Sequence, residues 1–106
     1  MNAQEFSIGS GGGQYIAGAG PHVVRTGYRA KSATVWADLT QIASITPCDA
    51  KGVAMPPAVT NQTWEGIAIA DGKYISFADP KNEYDAISGI TLNAAGDKMM
   101  LWLEPI

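Results

Sequence analysis

A chain of 106 residues, 46% of them hydrophobic, has the usual size of one domain with one core. A net charge of −3 and only seven scattered Lys and Arg residues argue against nucleic-acid binding, which needs basic side chains gathered on one face. No run approaches the roughly 18 apolar residues of a membrane-spanning helix, so no membrane partner is expected.

Charged residues make up 16% of the chain, against about 25% in an average soluble domain. Such a surface is either polar and uncharged, or partly covered by other copies or another protein, because interface cores are depleted in charge. The one local basic group, Arg25, Arg29 and Lys31, reads as a solvated strand end. Cys48 is the single cysteine. No internal disulfide can form, and the residue reads as a small hydrophobe in or beside the core. The first five residues lack the basic and apolar regions of a signal peptide, so synthesis and folding in a cytoplasm are expected. Asn61-Gln62-Thr63 has the glycosylation spacing but, without a secretory signal, meets no glycosylating enzyme.

In chain order, residues 1–13 are small and polar and end in Gly9-Ser10-Gly11-Gly12-Gly13, which reads as a flexible arm. Phe6 and Ile8 are its only bulky apolar side chains and are candidate contacts to a partner. Residues 14–106 read as a single β domain. A short strand at 14–17 leads to a Gly18-Ala19-Gly20-Pro21 turn. Residues 22–29 are strand-like, with Gly27 marking a bulge or close approach. The clearest strand covers 33–40, where Ala33, Val35, Ala37 and Leu39 alternate with Thr34, Trp36, Asp38 and Thr40. A further strand at 42–46 is expected to stop at Pro47, and 49–63 to form a long loop, with at most a brief strand near Val59. Strands at 64–70 and 73–78 are expected to pair across an Asp71-Gly72 type I′ turn, with Ile67, Ile69, Ile75 and Phe77 inward. A turn at 79–82 precedes a strand over 86–93 with Ile90 and Leu92 on one face. A turn at 95–97 leads to the last strand, 98–104, where Met99, Leu101 and Leu103 alternate with Lys98, Met100, Trp102 and Glu104. No segment has helical periodicity with caps. Short strands with turn signals about every ten residues predict an all-β, antiparallel sandwich (jelly-roll-like) or small barrel.

Chemistry is sparsely signalled. Gly9-Ser10-Gly11 lacks the third glycine of a dinucleotide fingerprint, because Gln14 stands there and no helix follows. Gly66 to Gly72-Lys73 is one residue too long for a phosphate-binding loop, and Tyr74 replaces the required hydroxyl residue. His22 and Cys48 are the only natural base and nucleophile, with no third group to orient them. Asp79, Glu83 and Asp85 crowd one turn but lack the glycine and spacing of a calcium loop, so they read as a solvated acidic turn. No catalytic residue, metal ligand or cofactor is therefore assigned, and no enzyme activity is expected. Trp36, Trp64 and Trp102, with Tyr15, Tyr28, Tyr74 and Tyr84, are the richer signal. Trp36 and Trp102 fall on the less apolar faces of their strands. These aromatics read first as oligomer contacts or core, the latter if the N-terminal arm covers that face, and second as a sugar-stacking surface.

The stretch Gly27-Tyr28-Arg29-Ala30-Lys31-Ser32-Ala33-Thr34-Val35-Trp36-Ala37-Asp38 resembles the opening strands of small auxiliary virion proteins of tailed bacteriophages. Ile87-Ser88-Gly89-Ile90-Thr91-Leu92-Asn93-Ala94-Ala95-Gly96-Asp97-Lys98-Met99-Met100-Leu101-Trp102-Leu103 resembles their closing strands. These proteins include capsid decoration (cement) proteins and short head-fibre modules. The resemblance covers roughly residues 14–104 and carries no defined functional residue set. It implies a non-enzymatic structural protein of the virion, homotrimeric, with another capsid or virion protein as partner. Phe6, Ile8, Trp36, Trp64 and Trp102 are the candidate interaction residues. The alternative is a carbohydrate-binding module that stacks glycans on the exposed tryptophans.

Overall fold

The computed structural model describes residues 11–39, 42–55 and 68–106. Among the described residues seven strands follow one another: β1 (Gly13–Ala17), β2 (Gly20–Val23), β3 (Tyr28–Val35), β4 (Ile42–Cys48), β5 (Tyr74–Ser76), β6 (Ala86–Leu92) and β7 (Lys98–Pro105). Every pairing between them is antiparallel. The only helical element among the described residues is a 3₁₀ turn, Pro80–Asn82. The protein is all-β, as the two-residue alternation predicts, but the strands form one continuous curled sheet, a half-barrel, rather than two separate sheets.

The curl comes from two strands that change neighbours partway along. Ala30 of β3 lies between Leu103 of β7 and Ile87 of β6, whereas Ser32, two residues on, lies between Trp102 of β7 and Ser76 of β5. One edge of β3 therefore passes from β6 to β5. On β6, Ile87 lies between Ala30 and Pro47, but Ile90 lies between His22 of β2 and Ile45 of β4. The sheet thus divides into a half β1-β7-β3-β5 and a half β2-β6-β4, joined where β3 meets β6. A register shift at Ala30/Ser32 marks the division. It inserts Lys31 as an extra residue and bends the strand, as bulges do.

The inner faces of the two halves share one core. Ile16, Ala33, Val35, Ile75, Phe77, Met99, Leu101 and Leu103 of the first half cluster with Ile42, Ile45, Ile87, Ile90 and Leu92 of the second. The apolar positions expected on one face at Ala33, Val35, Leu39, Ile69, Ile75, Phe77, Ile90, Leu92, Met99, Leu101 and Leu103 are all buried, but Ala37 is half-buried, because the strand expected over 33–40 ends at Val35. Truncating a fully enclosed member such as Phe77 costs about 3–5 kcal/mol, because apolar contact is lost and a cavity is left.

Several expected boundaries move, each for a local reason. The single strand over 22–29 is two strands, because the chain turns between them with Gly27 at φ 88° and the Tyr28 N–H bonding back to the Arg25 carbonyl (3.0 Å). Pro21 falls inside β2 and Pro47 inside β4. β2 and β4 each have one laddered neighbour, and Pro47 sits at a second register shift. Missing N–H groups are tolerated at such edges and bulges. Asp71-Gly72 is not a type I′ pair, since only Gly72 has positive φ. Nor does it join two paired strands: Ile69 bridges Leu39, β5 pairs β3, and the turn docks on the end of β3 through Gly72 N–H to the Val35 carbonyl (2.7 Å). Gly11 and Gly13, expected to belong to the arm, are held by the sheet: the Gly11 N–H bonds to the Leu103 carbonyl (3.1 Å), and Gly13 belongs to β1. Phe6, Ile8, Trp64, Ile67 and the brief strand near Val59 lie outside the described residues.

The two ends of the half-barrel are joined by a side chain. β1 and β2 are sheet edges linked by Gly18-Ala19. Gln14 bridges them, its Nε2 donating to the Val23 carbonyl (3.0 Å) and its Oε1 accepting from the Arg25 N–H (2.8 Å). The β6–β7 turn is organised by Asp97, which is buried and accepts from the N–H groups of Asn93 (3.1 Å) and Ala94 (2.9 Å). Replacing Asp97 with Ala removes that acceptor and should lower the unfolding free energy by about 1–3 kcal/mol, read as a fall in the urea midpoint. Asp97→Asn keeps one acceptor oxygen and should lose less.

Candidate interaction face

Residues directly opposite on antiparallel strands share a face, so the registers assemble the outer surface of the β1-β7-β3-β5 half row by row. Ala17, Lys98 and Trp36 form one row, with the Trp36 N–H bonded to the Lys98 carbonyl (3.0 Å). Tyr15, Met100, Thr34 and Tyr74 form the next. Gly13, Trp102, Ser32 and Ser76 form the third. Alternation fixes the outward direction of these side chains, because Ile16, Val35, Ile75, Met99 and Leu101 beside them are buried.

These rows hold four aromatic rings and one thioether, and Lys98 is the one charged residue among them. Tyr15, Trp36 and Tyr74 are 51%, 43% and 55% exposed. The rings of Tyr15 and Trp36 meet with centroids 5.5 Å apart at a tilt of 35°, within the range in which ring pairs attract. Trp102 is more enclosed. Its Nε1–H donates to Thr34 Oγ1 (2.9 Å), which fixes the indole against the sheet. Gly13 leaves the room the indole and Met100 occupy: a Cβ there would come within 2.9 Å of the Trp102 ring and 2.6 Å of the Met100 sulfur.

Sequence reasoning placed Trp36 and Trp102 on this side, and both are there. It did not single out Met100, although its alternation with Met99 was the available signal. Of the tyrosines, Tyr15 and Tyr74 join the face. Tyr84 is buried, and Tyr28 is half-buried with the Arg25 guanidinium 5.5 Å from its ring centroid.

Charge is concentrated elsewhere. Where β3, β6 and β7 converge, Arg29 bonds Asp85 (2.8 Å) and Glu104 (3.0 Å), and Lys31 lies 3.5 and 3.8 Å from the same two carboxylates. Burial opposes the Arg29 charge, but the two carboxylates outweigh it and raise its pKa. Two of the three clustered basic residues are therefore neutralised, and the group is an ion-pair network rather than a phosphate-binding patch.

The reactive side chains do not converge. His22 lies opposite Ile90 on one edge of β6, and Cys48 opposite Ala86 on the other. The four-residue offset alone is about 13 Å. His22 Nε2 donates to the Gly18 carbonyl (2.8 Å). Asp79 accepts from the Lys81 N–H (3.1 Å), Asp85 serves the ion pairs, and Glu83 is exposed at φ 62°. No group of three or more His, Cys, Asp or Glu side chains gathers among the described residues. The outer face of the β2-β6-β4 half carries a shallow open groove of about 310 Å³ lined by small and hydroxyl residues, including Val23, Thr46, Ser88, Gly89 and Thr91. His22 also lines it, and no Lys, Arg, Asp or Glu does among the described residues.

Comparison of the chain with family models, with curated proteins and with solved structures finds no match in any of the three.

Cys48 is buried, and that burial pushes its thiol up to about 11. The thiolate is the reactive form, so the native protein should resist thiol reagents at pH 8 and react fully once unfolded in urea. An acid whose folded pKa is raised stabilises the fold below its unfolded pKa and ceases to as pH rises through the folded value. Stability should therefore decline between about pH 9 and 11, and a Cys48→Ala variant should lack that decline.

Proposed function

We propose that the protein is a non-enzymatic structural protein of a phage particle, of the capsid decoration or head-fibre kind, acting through contacts with copies of itself and with another virion protein. The observation that carries this reading is the outer face of the β1-β7-β3-β5 half, where Tyr15, Trp36 and Tyr74 stay half exposed beside Met100 and Trp102. Aromatic residues and methionine are enriched in interface cores and charged residues are depleted there. The low overall charge fits the same use. The phage setting and the trimeric order rest on the resemblance of residues 27–38 and 87–103 to the auxiliary virion proteins.

Light scattering coupled to size exclusion tests the reading. The wild-type chain should run as a trimer, alone or on capsid shells. Trp36→Ala with Tyr74→Ala should weaken association by about 2 kcal/mol, roughly 30-fold in Kd, with little loss of stability because both side chains are half exposed. A chain that stays monomeric and ignores capsid shells would remove the proposal. Binding on a glycan array that is lost in Trp36→Ala and Trp102→Ala would favour a carbohydrate-binding module instead.

A further inference from the structure

We propose that the seam between β1 and β2 is a strand-acceptor site, where an extended segment of a partner protein pairs with the edge of β1 and takes the place of the Gln14 side chain. The site is the edge of the sheet rather than its outer face, and it does not depend on the role proposed above.

The ladders fix which backbone groups face the seam. In an antiparallel ladder the residues of a hydrogen-bonded pair aim their N–H and C=O at each other, and the residues between them aim theirs the other way. The Gly18 N–H bonds to the Asp97 carbonyl (2.9 Å) and the Leu103 N–H to the Gly12 carbonyl (2.8 Å), so the even-numbered residues of β1 face β7. Gly13, Tyr15 and Ala17 therefore turn their backbone groups to the opposite edge, where no strand is paired with β1 among the described residues. The Val24 N–H bonds to the Ser88 carbonyl (2.9 Å), so Pro21 and Val23 likewise turn away from β6. The two edges face each other, since Gln14 reaches across to the Val23 carbonyl and the Arg25 N–H. Only Gly18-Ala19 separates β1 from β2, yet the two strands do not pair.

A glutamine amide thus stands where the peptide group of a strand would, offering the same donor and acceptor. Paired strands lie about 4.8 Å apart, and strands with one between them about 9.6 Å. A glutamine side chain with its hydrogen bond spans about 7–8 Å, so seating a strand parts the edges by about 2 Å. Gly18 at φ 96° and Gly20 at φ 109° stand at the apex of the seam and absorb such a change without steric cost.

Sheet edges are commonly blunted by proline or charge. The edge of β2 carries Pro21, whereas β1 has neither. The side chains along the seam set the chemistry of the partner. Tyr15 is half exposed and Val23 is 77% exposed, which favours an apolar residue between them. Arg25 is exposed at the Gln14 end and forms no ion pair among the described residues. A segment running antiparallel to β1 ends beside it. The fitting partner is a short strand of β-branched residues with a carboxylate at its C-terminal end.

NMR titration of the isotope-labelled protein with the synthetic peptide acetyl-Thr-Val-Thr-Val-Thr-Glu tests this. The amide signals of Gly13, Tyr15, Ala17 and Val23 should shift saturably. Hydrogen exchange at the Tyr15 and Ala17 amides should slow about tenfold or more as they gain partners. Ala17→Pro removes an N–H that points away from β7, so the core signals should hold while peptide binding weakens about tenfold. Gln14→Ala removes the placeholder and should bind the peptide about tenfold more tightly. No saturable shift at millimolar peptide, or binding unchanged by Ala17→Pro, would overturn the acceptor site, and Gln14→Ala binding no more tightly would overturn the displacement. Peptide binding by a chain that ignores capsid shells and stays monomeric would leave the acceptor site standing and remove the virion role.

Discussion

The edge of β3 can serve only one neighbour at a time, and at Ala30 it changes from one to another. Ala30 is fully buried, with Leu103 on one side and Ile87 on the other. Its side chain points into the shared core, so a larger one there would overpack that core. One step further the extra residue Lys31 bends β3 and inverts its alternation, so that even-numbered residues face inward before the bulge and odd-numbered ones after it. Because β6 leaves and β5 takes its place, a single sheet folds its two halves over one core.

The corner is also where charge is paired. Arg29 is nearly buried between Asp85, just before β6, and Glu104, on β7, so it links the strands that meet there. Such a pair adds little net stability when partly exposed, but it fixes which side chains approach and in what order. The face that carries the three half-exposed rings lies on the β1-β7-β3-β5 half, and its rows contribute no side chain to this network.

The outer face itself is tightly specified. Trp102 lies flat because Gly13 offers no side chain and Thr34 accepts its indole N–H. Trp36, beyond the end of β3, is held by its backbone bond to Lys98 and by the Tyr15 ring. These aromatics belong to three different stretches of the chain, and only the antiparallel registers of β1, β7 and β3 make them one surface.

The amino-acid sequence by itself determined the all-β class and the inward positions of β5, β6 and β7, because burial on a strand follows local two-residue alternation. It also placed Trp36 and Trp102 outside the core for the same reason. It did not determine that Pro21 and Pro47 lie within strands, that Ile69 pairs with Leu39 instead of closing a hairpin, that Asp97 is buried, or that Tyr15 meets Trp36. Each of these depends on which strand lies alongside and on whether an edge is left free. Those pairings are made between residues far apart in the chain, so only the tertiary structure could decide them.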